Sequence, residues 1–258
     1  MKKIISLSLW CSENPLCKNK INENKNMYCK GAIRNLEIQR DLGIYKDWTF
    51  RFYVNNTVPK NVIQILKYFK AEIIDMTGSK IPGMFWRFLP FDDSSVDIFI
   101  VRDVDSRINK REELAVKEWL ESDKLLHIMR DHPHHYYKIL GGMWGYKNNV
   151  NRIFINQLMS IFLRKNNWKF KRMDDMKFLD LVYDSLKGKS MEHDQYFKFE
   201  FSQPFPEMDI DTSKYYHFVG EIFDEHDNNP NKNRNAKLIE NQFYKIKMKN
   251  HHFAKFFK

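Results

Sequence analysis

The feature that most constrains this chain is a rhythm. Between Ile4 and Val101, short β-branched or aromatic runs alternate with stretches of helical periodicity. Ile4 to Trp10 reads as a buried first strand, "DWTFRFYVN" (47–55) as a second, "AEIIDM" (71–76) as a third and "VDIFIV" (96–101) as a fourth. Between them lie a short helix over 28–43 closed by Gly43, a helix opened by Pro59 and running through Phe69, and a short helix or turn, "GMFWRFLPF" (83–91). This β-α-β-α-β-α-β order predicts an α/β fold, a mixed but mainly parallel sheet flanked by helices on both faces. Ligands of such sheets sit at the carboxyl ends of the strands.

Beyond Val101 the pattern predicts a helix over 111–122, with Glu112 and Glu113 suited to its first turn, and a strand over 125–131. "HPHHYYKILGGMWGYK" reads as a glycine-punctuated loop, 155–165 and 175–186 as helices, and "YFKFEF" (196–201) as a short strand before the turn "SQPFPEMD". The Asn/Lys-rich segment 12–26 reads as a loop, and "DNNPNKNRN" (227–235) is low in complexity and expected to be mobile. The expected organisation is one domain over 1–226 and a basic linker and tail over 227–258.

Composition narrows the class. Apolar residues make up 43% and aromatics 15% of the 258 residues, which excludes a disordered chain. The formal charge of +10 suggests an anionic partner. However, residues 231–258 hold eight Lys or Arg against one Glu, so only +3 remains elsewhere. The basicity belongs mostly to the tail, whose Phe and Lys residues suit an anionic membrane surface better than nucleic acid. "MKKIISLSLWC" resembles a signal peptide, but its apolar run is short and Trp10 stands where a small residue should precede cleavage. No stretch approaches the roughly 20 apolar residues of a membrane span. Three cysteines, Cys11, Cys17 and Cys29, with no C-x-x-C pair, fit a reducing compartment better than a disulfide scaffold or a zinc site. The expected location is the cytoplasm, with peripheral membrane contact through the tail.

The chemistry concentrates where the fourth strand ends, in "RDVDSR" (102–107). The segment reads as extended, so Asp103 and Asp105 share a face and Val104 lies opposite. Two carboxylates so close repel unless a positive charge stands between them, and a hard divalent cation with room for phosphate oxygens is the natural partner. Arg102 and Arg107 would then add charge for the same phosphates. The plain alternative is a surface turn whose aspartates pair with those arginines.

"FWRF" (85–88), "RDVDSR", "HIMRDHPHH" (127–135) and "ILGGMWG" (139–145), in this order, resemble a family of GT-A fold glycosyltransferases found among bacterial and viral sugar-polymer genes. The resemblance runs from about Ile4 to Phe223. It implies that Asp103 and Asp105 hold Mn²⁺ or Mg²⁺ against the diphosphate of a nucleotide sugar, UDP more often than GDP, with Asp103 also near the ribose. It implies a histidine that completes the metal site, either His193 of "EHDQ", the preferred choice, or His217 of "YHFVG". Leu9 and Trp10 would meet the base, Arg87 would anchor the donor side, and Val104 and Arg107 would belong to the same donor-binding stretch. Gly141 and Gly142 would let backbone approach the donor sugar. "HPHHYY" would form an acceptor-facing loop.

The implied reaction moves the sugar to a hydroxyl of a glycan, lipid-linked or protein-linked acceptor. An inverting outcome needs a carboxylate base, for which Asp175, Asp194 and Asp131 are the candidates, while a retaining outcome needs none. Asp175 also reads as a helix N-cap. Two positions depart from the family pattern: Met176 stands beside Asp175 where a polar group is usual, and Gln195 follows Asp194 where serine is usual. Two other classes compete. A phosphatase of the haloacid dehalogenase type also places D-x-D after a strand, although on the first strand. A non-catalytic binding module would use the basic tail.

Overall fold

The computed structural model describes residues 1–10, 21–148, 152–171, 173–197, 199, 202–207 and 217–240. Cys11, Cys17, most of the expected loop 12–26, parts of "YFKFEF" and "SQPFPEMD", and the tail beyond Glu240 lie outside them.

Eight strands form one sheet in the order β3-β2-β1-β4-β6-β5-β7-β8. They are β1 (Lys3–Leu9), β2 (Thr49–Val54), β3 (Glu72–Asp75), β4 (Ile98–Arg102), β5 (Leu126–Arg130), β6 (Met143–Lys147), β7 (Ser190–Asp194) and β8 (Ser202–Gln203). β1 lies between β2 and β4 and runs parallel to both. β6 alone is reversed, antiparallel to β4 on one side and β5 on the other. The α/β mixed sheet expected from the sequence is therefore the architecture observed.

Alternation along the central strands divides the core between two faces. Ile5, Leu7, Phe50, Phe52 and Ile100 pack on one face, with Ala32 and Leu36 of α1 (Ile21–Leu42), Val62 and Leu66 of α2 (Lys60–Tyr68), and Val116 and Trp119 of α4 (Lys110–Glu121). Ile4, Phe99, Val101, Trp144 and Tyr146 face the other way. They meet Phe85 of α3 (Gly83–Trp86), Phe91 of a 3₁₀ turn (Leu89–Asp92), Ile155 and Met159 of α5 (Arg152–Lys165), and Phe178 and Leu179 of α6 (Asp174–Ser185).

Local signals explain most boundaries. Gly43 closes α1 at φ +67°, as the sequence predicts. The Asn109 side chain caps α4 by accepting from the Glu112 N–H at 3.0 Å, which leaves Glu112 and Glu113 in the first turn. Four expectations need correction. α1 begins at Ile21, inside the segment expected to be a loop. "MWGYK" is a strand rather than a loop. Its Gly145 hides the strand signal, yet a Cβ there would stand 2.8 Å from Ile100 Cγ2 and 3.1 Å from the Phe99 carbonyl oxygen. The last strand of the sheet is Ser202–Gln203, while Tyr196, Phe197 and Phe199 of "YFKFEF" lie outside any strand. Finally, the low-complexity 227–235 is not a bare linker. Asp227 pairs with Arg34 at 3.0 Å and Arg107 at 2.8 Å, and a helix, α7 (Lys232–Glu240), follows. Among the described residues no helix is long and apolar enough to cross a membrane.

Trp144 is the hinge of the second core layer, fully buried against Phe88, Phe91 and Phe99 at ring separations of 5.4–5.6 Å. Trp144→Ala is expected to cost about 3–5 kcal/mol, read as a fall in the denaturant midpoint.

Candidate active site

β4 delivers the aspartates to the sheet edge and then stops. The chain does not stay extended, because Ser106 turns back and donates from its N–H (3.3 Å) and Oγ (2.8 Å) to the Asp103 carbonyl. Val104, expected in the donor-binding stretch, is buried in the core, while both aspartates keep partial exposure. Helix α1 clamps this turn from behind. A Cβ on Gly31 would collide with the Val104 carbonyl oxygen, so the helix backbone lies directly on the loop. Asn35 donates to the Ser106 carbonyl at 2.9 Å and accepts from the Ile108 N–H at 2.9 Å.

The reversal of β6 supplies the second wall. Arg102 pairs in register with Met143, so the residues just before β6 stand beside those just after β4. Gly142 is thereby pressed against Asp103. A Cβ there would collide with Asp103 Oδ2 and lie 2.8 Å from the Asp103 backbone nitrogen. A Cβ on Gly141 would meet Asp175 Oδ2 at 2.7 Å and collide with Arg87 Nη2.

Arg87 ties the site together. Its guanidinium bonds Asp103 Oδ1 through Nη1 and Asp175 Oδ2 through Nη2, the latter at 2.8 Å. Its backbone is held by two serines of β1, with Ser8 Oγ accepting its N–H at 2.9 Å and Ser6 Oγ donating to its carbonyl at 2.7 Å. Burial opposes the charge on Arg87, but Asp103 and Asp175 hold its pKa above the usual value. Asp175 is not the N-cap of α6. Met173 occupies that place at φ +74°, and Asp175 sits in the first turn with its carboxylate turned inward. At the end of β1, Leu9 is buried and the Trp10 ring lies 5.7 Å from that of Trp86, over Gly83.

The third wall comes from the C-terminal half. Phe223 donates its N–H to the Asp105 carbonyl at 2.8 Å, and Ser106 forms an antiparallel bridge with Ile222. This brings up His217, whose ring lies 5.6 Å from that of Phe223 and whose Nδ1 is 2.6 Å from Glu221 Oε2. Glu221 is buried and also accepts from Asn229 Nδ2 at 2.5 Å. At the centre, the Asp105 carboxyl is pushed up, to about 7, by burial first and then by the charge of Asp103, while Arg87 and Arg107 pull the other way.

Several residues proposed from the sequence are not at this site. His193 stands on β7, fully buried, with Nδ1 2.9 Å from His127 Nε2 and Nε2 3.2 Å from Glu118 Oε2, so both ring nitrogens are engaged away from the aspartates. Asp194 accepts from Arg130 Nε (2.8 Å) and from the N–H groups of Tyr196 (2.9 Å) and Phe197 (2.7 Å). Asp131 is likewise fully buried. It takes both arms of Arg111, at 2.8 and 2.9 Å, and the Val219 N–H at 3.0 Å. Neither carboxylate is free to accept a substrate proton. The arginines flanking the motif turn away from it: Arg102 pairs with buried Glu112, and Arg107 pairs with Asp227 beneath Phe223. His132 of "HPHH" is buried, its ring 4.5 Å from that of Phe218. Among the described residues, no three His, Cys, Asp or Glu side chains converge to hold a metal.

Sequence reading missed Ser8, Gly31, Asn35, Glu221 and Phe223. Gly31 and Asn35 carried a signal, a glycine and an amide on the helical stretch's inner face, whereas the other three act through contacts that only the tertiary fold creates.

No family model and no curated protein matches the sequence. Solved structures with a similar course of chain include the glycosyltransferase GlyE of Streptococcus pneumoniae (13% identity, TM-score 0.45), matched over 74% of this chain and 44% of that one. This chain thus spans less than half of that protein's length. A putative glucose-1-phosphate thymidylyltransferase of Bacillus anthracis matches over 76% of this chain and 87% of its own (12%, TM-score 0.48). Mouse xyloside xylosyltransferase 1 matches over 75% and 85% respectively (11%, TM-score 0.41).

Two outcomes follow from this geometry. Gly142→Ala is expected to cost roughly 1–3 kcal/mol in chemical denaturation, because the backbone nitrogen of Asp103 has no room to give. The second concerns acid. His127 and His193 are buried and neutral, their pKa values lowered by desolvation first, as is that of His132 to about 4. Below the unfolded value of about 6.5, the unfolded chain binds protons that these rings refuse, so stability falls as pH drops through that point. His217, raised by Glu221, and Asp105, raised by burial, work in the opposite sense. The measurement is therefore differential: the denaturant midpoint of the wild type relative to that of His127→Gln should fall as pH drops below about 6.5.

Proposed function

We propose that the chain is a glycosyltransferase that uses a nucleotide-sugar donor and a divalent cation, Mn²⁺ or Mg²⁺, and delivers the sugar to a hydroxyl of a glycan, lipid-linked or protein-linked acceptor. The observation that carries this reading is the Asp103–Asp105 turn at the sheet edge. Bare glycine backbone presses on one side of it, and Asp105's carboxyl is pushed up by burial first and then by the charge of Asp103. Two neighbouring carboxylates, one half-exposed and one more deeply set, suit a hard ion that keeps open positions for phosphate oxygens. Of the two histidines considered, His193 is spent on Glu118 and His127, whereas His217 packs on Phe223, whose N–H meets the Asp105 carbonyl; His217 would have to leave Glu221 and close on the pair to serve as a third ligand. When bound, the ion supplies neutralisation of the charge that grows on the leaving diphosphate.

The chain's own groups would divide the remaining work. Arg87 orients Asp103 and adds positive charge on the donor side. Gly141 and Gly142 are buried and make room for Arg87, Asp175 and Asp103 to come together, and Trp10, unlike buried Leu9, has ring surface to offer a base. Of the three carboxylates considered as base, Asp175 alone lies beside the pair, and its bond to Arg87 makes it a positioning group as well.

The test is thermal melting of the full chain with nucleotide sugars, with and without Mn²⁺. A ligand held at about a hundred times its dissociation constant adds about 2.7 kcal/mol, a rise of roughly 5–10 °C for a chain of this size. The rise should need Mn²⁺ and vanish in Asp105→Asn. A rise that ignores both, or phosphate release from an aryl phosphate without any nucleotide sugar, would sink the reading and favour the phosphatase.

A further inference from the structure

A second surface, outside the site, is formed by the outer side of α5 and the turn that joins it to α6. From Arg152 to Met173 the sequence carries six basic residues, Arg152, Arg164, Lys165, Lys169, Lys171 and Arg172, and no acidic one. The inner side of α5 buries Ile155, Met159 and Leu163 in the core. The outer side shows Phe154 and Ile161, 51% and 48% exposed and seven residues apart, which places them on one line of the helix. The turn then presents Trp168 and Met173, 37% and 44% exposed.

The backbone holds these two side chains outward at a cost. Asn167, Trp168 and Met173 have φ of +49°, +58° and +74°, a region that bulky side chains avoid. Among the described residues, Trp168 meets no other aromatic ring, and Arg164, Lys165, Lys169 and Lys171 make no ion pair. Exposed apolar side chains, a strained tryptophan at the tip and unpaired cations around them have one common complement, the surface of an anionic bilayer. Apolar groups enter its headgroup boundary and cations meet its phosphates. A nucleic acid would satisfy the cations and leave Phe154, Ile161 and Met173 in water.

We infer that this face docks the protein on an anionic lipid surface. Met173 immediately precedes Asp174 and Asp175, so the docked surface leads into the helix whose carboxylate holds Arg87. On the transferase reading, this presents the site to an acceptor carried by the membrane. Docking itself needs neither nucleotide nor metal, so its failure is separate from failure of that reading.

The test is flotation of the full chain with vesicles of phosphatidylcholine and phosphatidylglycerol, together with quenching of tryptophan emission by brominated lipid. The wild type should float with anionic vesicles and not with pure phosphatidylcholine, and its emission should be quenched. Trp168→Phe should remove most of the quenching. The triple charge reversal Arg164→Glu, Lys165→Glu, Lys169→Glu should weaken vesicle binding on the order of 100-fold or more. All of these positions are exposed, and circular dichroism verifies that each variant is folded; Ile161→Ser, expected to weaken flotation, serves if one is not. The inference is overturned if the wild type does not float, or if it binds an RNA homopolymer but no vesicle. It is equally overturned if the reversed variant floats like the wild type, which would place the contact elsewhere, the C-terminal tail included.

Discussion

A guanidinium taken out of water has to be paired, and the placement of Arg87 follows from that requirement. It lies just after a short helix whose aromatic residues are sunk in the core, so it cannot swing out to solvent. Asp103 and Asp175 come from opposite halves of the chain and are the two groups that answer it. The end of β4, the end of α3 and the start of α6 are held at one point by this charge balance. Whatever else the site does, it is assembled around a cation the protein supplies itself.

The one reversed strand does comparable work in the backbone. Had β6 run parallel to β4, its glycines would lie at the far edge of the sheet. Running antiparallel, it delivers Gly141 and Gly142 to the same edge as the aspartates and brings the carboxyl ends of β4 and β5 to that edge together. Close approach is then possible only because neither residue has a side chain, which is why the glycine pair and the aspartate pair must be read together.

Most of the first half of the fold was legible because β1, β2 and β4 are buried on both faces and Gly43 and Pro59 mark the end of α1 and the start of α2; the start of α1 carries no such mark. The second half was not. β6 contains a glycine demanded by Trp119 and Ile100, and β7, "SMEHD", looks polar because its buried groups are satisfied by one another rather than by apolar packing. The same masking explains the errors at the site. His193, Asp194 and Asp131 are polar residues whose partners come from distant segments, and a sequence displays the donor without the acceptor that uses it up. The D-x-D pair and the glycines could be singled out in the sequence because they are marked by spacing along the chain and by the absence of a side chain, and the fold sets them side by side. His217 packs on Phe223, which bonds the turn after β4, and His193 packs on His127; both placements rest on long-range contacts that no local pattern encodes.

The bond from Phe223 to Asp105 has a consequence for how the protein is made. The aspartate turn is synthesised more than a hundred residues before the segment that braces it. Synthesis proceeds at about 5–20 residues per second, so for seconds a nascent chain carries its acidic pair unbraced on one side. A truncated product ending before this segment would keep the central strands and lack the wall that completes the cleft.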